Sequence, residues 1–468
     1  MASTADVAHQ PRIFFTAPWD PVVVRRGDAL GLRALADEFA EAVAPGLSNR
    51  VRDGRWVTIL AWCLVHSQEV FRMRSGPSVS TASEQRARYG WLRPLELMWV
   101  ARTIELADEA ASNRSMSGQR SIRRWRDTGQ LPQDRFGMSE EQFRAYRQTG
   151  MYGGYRIAFR TWPGLTENGD GWTPGPVAHD LAKWLDKQLG RNLLPTWNTN
   201  RAPTVGKGEE HIWWLRRWAT FNNKGRDYDV NTLPRLGDDF KKLPEKEAVQ
   251  LEPIIFGSIR EKHEDCRRRR SIALEVAKSS GTTHIEICEH LSQTFSSDPI
   301  ISYLARFSRL ADTGIEAMDL IANQLARESA TPLKTVEGNK DVARACKDLR
   351  AAASEWLSGE GSGSAMIGVT HCGKASDFAQ TITSVEPQNC VKALLDHHEQ
   401  RGGGLLWFVR RGLHVELCST PTDRVAAPYR FRLWSLCRLA AQCGVIKKMP
   451  PALSNGDVES SEHDDESE

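Results

Sequence analysis

Arginine and aromatic side chains alternate between residues 111 and 160. This window holds ten arginines against four acidic residues, a surplus of six positive charges, and no lysine precedes Lys183. The planar guanidinium group donates a fork of hydrogen bonds that suits phosphate oxygens better than a point ammonium charge does. Basic residues mixed with aromatic rings are typical of a nucleic-acid-binding surface. The competing interpretation is a set of solvated helix faces in an arginine-rich chain.

Three helices and a hairpin are predicted to position these side chains. Capping and turn residues predict helices at 118–127, 139–150 and 151–162. The Asn-Gly and Asp-Gly dipeptides between 166 and 172 predict a β-hairpin, and Thr173-Pro174 predicts the start of a further helix. This order of elements is that of a winged helix, whose third helix commonly enters the major groove of DNA.

In such a module, the first helix would contact phosphates and the third would face the groove. The residues expected to position the backbone are Arg120, Arg123, Arg124 and Arg126. The residues expected to face the groove are Tyr152, Tyr155, Arg156 and Arg160. The sequence therefore predicts double-stranded DNA as the partner. Many winged helices are protein docking modules, so that alternative stays open.

A chain of 468 residues exceeds the size at which a single core stops growing, roughly 250–300 residues. We expect a mainly α, multidomain helical protein with winged-helix-like units and small β-hairpins. The predicted units are an N-terminal helical module (1–110), the winged-helix-like basic module (111–190), a Trp/Asn/Pro-rich connector (191–250), a central helical module (251–357), a linker (358–365), a C-terminal helix-hairpin-helix module (366–450) and an acidic disordered tail (451–468).

Composition excludes several classes of protein. The hydrophobic share of 40% and the charged share of 26% are ordinary for a globular protein, and no apolar run approaches the ~18 residues that span a bilayer. The opening residues do not resemble a secretory signal, so we expect a cytoplasmic protein with no membrane partner. The nine cysteines include no C-x-x-C pair, which argues against a disulfide framework and a cysteine-rich zinc ribbon.

Short motifs with the residue types of catalysis are all incomplete. No P-loop string is present, and no E-x-K nuclease motif follows an aspartate on a predicted strand. The triplet Asp396-His397-His398 resembles the metal motif of the DHH phosphoesterases. Residues of the types that bind zinc are His263, Cys266, His284, Cys288 and His290. Cys372 is a candidate nucleophile, with His371, His414 and Glu416 as candidate partners. The sequence therefore predicts no catalytic residue, no metal site and no cofactor.

Two parts of the chain resemble uncharacterised bacterial proteins encoded beside phage-defence and DNA-modification genes. They are the string from Leu30 to Glu41 and the pair of strings His398 to Phe408 and Tyr429 to Trp434. The resemblance implies a DNA-handling component of an anti-phage defence system, with other defence proteins as partners. It carries no catalytic signature and implies no site residues.

These observations favour a non-catalytic DNA-binding component of such a system. An alternative is a protein-interaction subunit that scaffolds a partner nuclease, helicase or methyltransferase, with tryptophan-rich surfaces such as residues 211–218 as anchors. A third possibility is a divergent metal-dependent nuclease.

Overall fold

The computed structural model describes residues 28–75, 150–189, 245–257, 263–326, 331–360, 369–400, 406–418 and 430–454, with six further positions at 92, 96, 99, 100, 103 and 123. These residues form mainly α-helices and one small antiparallel sheet, which confirms the predicted fold class. Within these ranges, none of the helices combines the length and apolar character that crossing a bilayer requires.

The helices are numbered in chain order. The first four are α1 (Arg33–Val43), α2 (Gly54–Ser75), α3 (Met151–Thr161) and α4 (Pro176–Leu189). The central ones are α5 (Glu245–Phe256), α6 (Glu264–Lys278), α7 (His284–Thr294) and α8 (Leu304–Leu325). The last six are α9 (Leu333–Glu337), α10 (Lys340–Glu360), α11 (Cys372–Thr383), α12 (Cys390–Gln400), α13 (Leu433–Gln442) and α14 (Pro451–Ser454). Single 3-10 turns lie at Glu167–Gly169, Ile301–Tyr303 and Pro387–Asn389.

Helix α8 lies at the centre and packs against α7 and α10, while α2 packs against α4. Gly314 of α8 lets the N-terminal segment approach closely, because a Cβ atom there would lie only 2.6 Å from Leu30 Cδ1. Buried apolar side chains from Ala29 to Leu453 form one contiguous cluster. The modules predicted from the sequence therefore contact one another through a shared core.

Two long helical patterns are each divided in the structure. The pattern of 252–278 predicts one helix, but α5 ends at Phe256 because Gly257 adopts a left-handed conformation with φ +65°. The pattern of 377–400 also predicts one helix, and here Pro387 begins a 3-10 turn that separates α11 from α12. The string Thr283-His284-Ile285-Glu286 predicts a capping box, and the structure confirms it, since the Thr283 side chain accepts from the N–H of Glu286.

The sheet consists of β1 (Thr331–Pro332), β2 (Phe408–Arg411) and β3 (His414–Leu417), in the order β1-β3-β2. The alternating runs on either side of Gly412 predict a C-terminal hairpin, and the structure confirms it, with Gly412 at φ +63° in a two-residue turn. The N–H of Arg410 on β2 donates to Glu399 Oε1 at 3.0 Å, on the side away from β3. This contact covers part of an edge that another strand could otherwise pair with.

Candidate nucleic-acid interface

Helix α3 carries the second half of the predicted site and has one buried face and one solvent face. The buried face includes Tyr152, Tyr155 and Phe159. Arg160 is exposed and Arg156 is half-buried on the other side. Aromatic residues spaced three to four apart occupy one side of a helix, so the pattern of this segment also fits an ordinary core stripe.

The two tyrosines predicted to face a groove lie in the core, each 1% exposed. The Tyr155 hydroxyl donates to the carbonyl of Asp53 at 3.0 Å and accepts from the N–H groups of Asp53 (2.9 Å) and Arg52 (3.1 Å). The Tyr152 hydroxyl donates to the carbonyl of Gly171, and burial raises its pKa well above the ordinary value. Both hydroxyls therefore hold loops against α3 and are not presented to a partner.

Replacing Tyr155 with phenylalanine is expected to lower the free energy of unfolding by about 1–3 kcal/mol, because buried backbone groups of Arg52 and Asp53 lose their partner. Urea denaturation of the full chain measures this change. Unchanged stability would show that these backbone groups find other partners.

Arg156 and Arg160 lie one helical turn apart and share a support. A Cβ atom on Gly171 would lie 2.9 Å from Arg160 Cγ and 3.6 Å from Arg156 Nε, so both side chains cross the backbone of this residue. The Arg156 guanidinium also lies 5.7 Å from the centre of the Trp172 ring. The two arginines are thus oriented side by side by contacts with one loop.

Two more arginines approach α3 from the loop before α2. The stem of Arg50 lies against Gly154, where a Cβ atom would be 2.8 Å from Arg50 Cβ. Arg52 follows two residues later, and its Nε donates to the carbonyl of Asn49 at 3.2 Å. We call Arg50, Arg52, Arg156 and Arg160 the basic surface.

Helical geometry places a strip of uncharged residues between the two pairs of arginines. Gly153, Ile157 and Thr161 recur every four positions, with Arg156 and Arg160 on one side of the row and Gly154, beneath Arg50, on the other. The strip thus separates two groups of positively charged side chains, whose guanidinium groups have the donor geometry that suits phosphate oxygens.

The loop after α3 differs from the predicted wing. The described residues between 166 and 172 form a 3-10 turn closed by one antiparallel bridge, Thr166 to Pro174, and no hairpin strands are present there. Positive φ values at Asn168, Gly169 and Gly171 curl the chain tightly against α3. The helix expected at Pro174 begins at Pro176. The Asn-Gly and Asp-Gly dipeptides therefore form a compact loop in place of the predicted β-hairpin.

Two acidic side chains, Glu167 and Asp170, lie in this loop beside the arginines. The Asp170 carboxylate accepts hydrogen bonds from the N–H groups of Trp172 (2.6 Å) and Thr173 (2.8 Å) and from the Thr173 hydroxyl (2.6 Å). It therefore stabilises its own turn. Such local hydrogen bonding by aspartate is common in loops.

Of the predicted backbone-contacting arginines, Arg123 occupies a helical position and is half-buried. Arg120, Arg124 and Arg126 lie outside the described residues, as do the rest of the first predicted helix, residues 139–149 of the second, the tryptophan-rich run 211–218 and residues 455–468 of the predicted acidic tail. The structure places Tyr152, Tyr155, Arg156 and Arg160 on one helix but directs the tyrosines inward and the arginines outward.

The histidines of the Asp396-His397-His398 motif are structural. His398 Nδ1 donates to the carbonyl of Ala29 at 2.9 Å, and its Nε2 accepts from the N–H of Trp407 at 2.9 Å. His397 Nε2 contacts the carbonyl of Leu30 at 3.2 Å, and Asp396 forms an ion pair with Arg410. These residues join α12 to the N-terminal segment and to the hairpin.

The candidate zinc ligands and the candidate nucleophile Cys372 also have other environments in the structure. Within the described ranges, no three histidine, cysteine or acidic side chains meet as metal ligands. Burial lowers the pKa of His284 to about 4 and raises that of Cys288, so both are neutral near pH 7. Cys372 contacts the carbonyl of Val369 at 3.5 Å, while the neighbouring His371 binds Glu38 at 2.7 Å.

The structure contains one buried ion pair that the sequence analysis does not predict. Arg55 and Glu247, both 0% exposed, form an ion pair with Nη2 and Oε2 2.5 Å apart, and the Thr58 hydroxyl donates to Glu247 at 2.6 Å. Burial raises the pKa of Glu247 to about 7, opposed by the Arg55 charge and the Thr58 hydrogen bond. The partners are 192 positions apart, so no local pattern could have paired them.

Comparisons with protein-family models, with characterised proteins and with solved structures each find no match. The geometry of the basic surface therefore carries the functional interpretation.

Proposed function

We propose that the protein is a non-catalytic component that binds duplex DNA through phosphate contacts made by the basic surface. The observation that carries this proposal is the shared support of Arg156 and Arg160 on the loop after α3. The Arg160 stem lies against Gly171 and the Arg156 guanidinium lies near the Trp172 ring, with Arg160 exposed and Arg156 half-buried. Arg50 and Arg52 add positive charge on the other side of the uncharged strip. Phosphate contacts of this kind fix a protein on DNA without reading its sequence.

The same surface favours duplex over single-stranded nucleic acid. Proteins that bind single strands stack bases on exposed aromatic rings. Here the aromatic rings of the segment are each 2% exposed or less: Tyr152, Tyr155, Phe159, Trp162 and Trp172. Among the described residues, the arginines of the basic surface therefore have no exposed ring beside them, and such a surface can follow a phosphate backbone but offers no platform for unpaired bases.

Replacing Arg156 and Arg160 together with alanine is expected to reduce the salt dependence of duplex binding by about 2 units of log-log slope, since each lost phosphate contact removes about 1. Fluorescence anisotropy of a labelled duplex at several salt concentrations measures this slope. Changing the duplex sequence should alter neither the affinity nor the effect.

Matched controls are available on other exposed arginines. Arg344 (68% exposed) and Arg411 (73% exposed) each pair with an acidic neighbour away from α3, so R344A and R411A should keep the wild-type slope. Replacing Arg156 and Arg160 with lysine should keep the slope but weaken binding, because lysine cannot form the fork. If R156A/R160A behaves like the controls, the proposal is wrong.

We propose a bacterial anti-phage defence system as the setting, with other defence proteins as partners. The support is the resemblance of Leu30–Glu41 and His398–Phe408 to proteins encoded beside such genes. Phage plaque assays with the R156A/R160A chain in its native gene neighbourhood test this setting. Full protection by that variant would separate DNA binding from defence.

A scaffolding subunit remains the second candidate, supported by Leu413. This side chain is 79% exposed at the tip of the β2–β3 hairpin, and Leu406 just before β2 is 37% exposed, so the hairpin region carries two of the four exposed large apolar side chains of the described residues. Under this alternative, Leu413→Ser should weaken binding of a protein encoded next to the gene and leave duplex binding unchanged.

A further inference from the structure

Two adjacent lysines lie exposed in the turn that follows α13. They are Lys447 and Lys448, which we call the lysine pair. Neither has an ion-pair or hydrogen-bond partner among the residues that the structure describes, so both ammonium groups face water. In the sequence the lysine pair is far from the four arginines of the basic surface. Its place in the fold depends on where α13 lies.

Helix α13 runs beside the connector that joins α1 to α2, residues 44–53. At the start of α13, Arg432 Nη1 donates to the carbonyl of Ala44 at 3.4 Å, directly after α1. At its end, Gln442 Oε1 accepts from the N–H of Gly54 at 2.8 Å, where α2 begins. The two ends of α13 are therefore fixed to the two ends of the connector.

The same connector also packs against α3. It carries Arg50 and Arg52 of the basic surface, and the Ser48 hydroxyl donates to the carbonyl of Gly154 at 2.7 Å. The connector is thus a neighbour of both helices. Positive side chains occur on α3, on the connector and in the turn after α13, and this turn follows the end of α13 that touches Gly54.

Backbone hydrogen bonds fold this turn back onto α13. Gly444 adopts a left-handed conformation with φ +75°, and the N–H groups of Val445 (2.8 Å) and Ile446 (3.3 Å) donate to the carbonyl of Ala440. This arrangement is a Schellman motif, a common end of a helix. It keeps the lysine pair next to the last turn of α13.

The path from the connector to the lysine pair is short compared with a turn of DNA. Through the Gln442 contact and the Schellman motif, the Cα atoms of Gly54 and Lys447 are at most about 25 Å apart, below the ~34 Å of one helical turn. Arg52 lies two residues before Gly54. One duplex is therefore long enough to meet both groups of charges.

We propose that the lysine pair extends the basic surface, so that one DNA duplex receives phosphate contacts from α3, from the connector and from the turn after α13. This inference rests on the proposed function and adds a second group of contacts to it. An ammonium group binds phosphate as a point charge, so these contacts contribute affinity and salt dependence and read no base sequence.

Replacing both lysines with alanine should reduce the log-log slope of duplex binding against salt by about 2 units, since each lost phosphate contact removes about 1. Fluorescence anisotropy of the full chain with a labelled duplex at several salt concentrations measures this slope. K447R/K448R should keep the wild-type slope, because the charge is retained. The turn is held by backbone groups, so each variant should keep its fold, which circular dichroism checks.

A matched control is available on other exposed lysines. Lys374 and Lys392 lie on α11 and α12, which pack against α10, and K374A/K392A should keep the wild-type slope. If K447A/K448A behaves like this control, the lysine pair does not contact the duplex and the inference is wrong.

The same titrations separate this failure from that of the proposed function. A lowered slope in R156A/R160A with a wild-type slope in K447A/K448A overturns the extension alone. A wild-type slope in R156A/R160A overturns the proposed function, and with it the extension.

A single continuous surface makes two further demands. The variant with all four substitutions should lose about 4 units of slope, because the two pairs bind different phosphates. Titration with duplex at concentrations well above the Kd should end at one duplex per chain. Two duplexes per chain would show separate binding sites and would overturn the extension.

Discussion

Arg55→Met is expected to lower the free energy of unfolding by about 3–5 kcal/mol at alkaline pH, the cost of leaving a buried charge without its partner. Arg55 and Glu247 are both 0% exposed and form an ion pair, so in this variant the Glu247 carboxylate keeps the Thr58 hydroxyl as its hydrogen-bond donor but loses the guanidinium. The Arg55 charge is the largest effect that lowers the pKa of Glu247 against burial. Urea denaturation at about pH 9 measures the loss.

The same substitution should cost less at low pH, because Glu247 can take up a proton. Burial raises the pKa of Glu247 from 4.5 to about 7, so in the wild type its ionisation opposes folding. This contribution to stability is fully present below pH 4.5 and is lost as the pH rises to about 7. Removing Arg55 removes the largest effect that lowers this pKa, so the window moves to higher pH.

Glu247→Gln, which mimics the protonated side chain, should differ from Arg55→Met in its pH profile. Denaturation from about pH 5 to about pH 9 should show the stability of R55M falling as the pH rises, while E247Q lacks the loss that ionisation of Glu247 causes. The double variant R55M/E247M should recover most of the loss, because apolar replacement of a whole buried pair is often near neutral. As a control, Glu289→Gln removes a partner of Arg309 in a pair 38% and 34% exposed, and should cost about 1 kcal/mol or less. Parallel profiles for R55M and E247Q would contradict this account.

Arg269→Met is expected to lower the free energy of unfolding by about 3–5 kcal/mol, because a buried hydrogen-bond network loses its donor. Arg269 is 1% exposed, and its guanidinium donates to the carbonyls of Ile255 (2.6 Å), Pro45 (2.6 Å) and Ile254 (3.4 Å). It also lies 5.6 Å from the centre of the Trp162 ring. One side chain thus holds the end of α5, the loop after α1 and the end of α3 together.

The matched control is the exposed neighbour Arg267, where methionine should change stability by about 0.5 kcal/mol or less. Arg269→Lys should recover only part of the loss, since an ammonium group cannot reach three carbonyls with a planar fork. Thermal or urea denaturation of the three variants decides the matter. Equal stability of R269M and R267M would show that the carbonyls find other donors.

The four consecutive arginines of α6 lie in different environments, for a physical reason. Arg267, Arg268, Arg269 and Arg270 look equivalent in the sequence, yet Arg268 pairs with Asp298, Arg269 is buried and Arg270 binds the end of α5. On a surface, the guanidinium of an arginine is hydrated. In the interior, it donates its hydrogen bonds to backbone carbonyls instead of to water. Which occurs depends on segments that arrive from distant parts of the chain.

The sequence by itself determined the features that depend on neighbours along the chain. Helical periodicity, the capping box at Thr283 and the glycine turn at Gly412 act within a few residues, so the helical class and the C-terminal hairpin could be predicted. Only the tertiary structure decided the direction of Tyr152 and Tyr155, the compact loop in place of a wing, and the buried pair of Arg55 with Glu247. Each of these depends on burial against residues far away in sequence, and burial sets whether a polar group faces water, a carbonyl or a counter-charge.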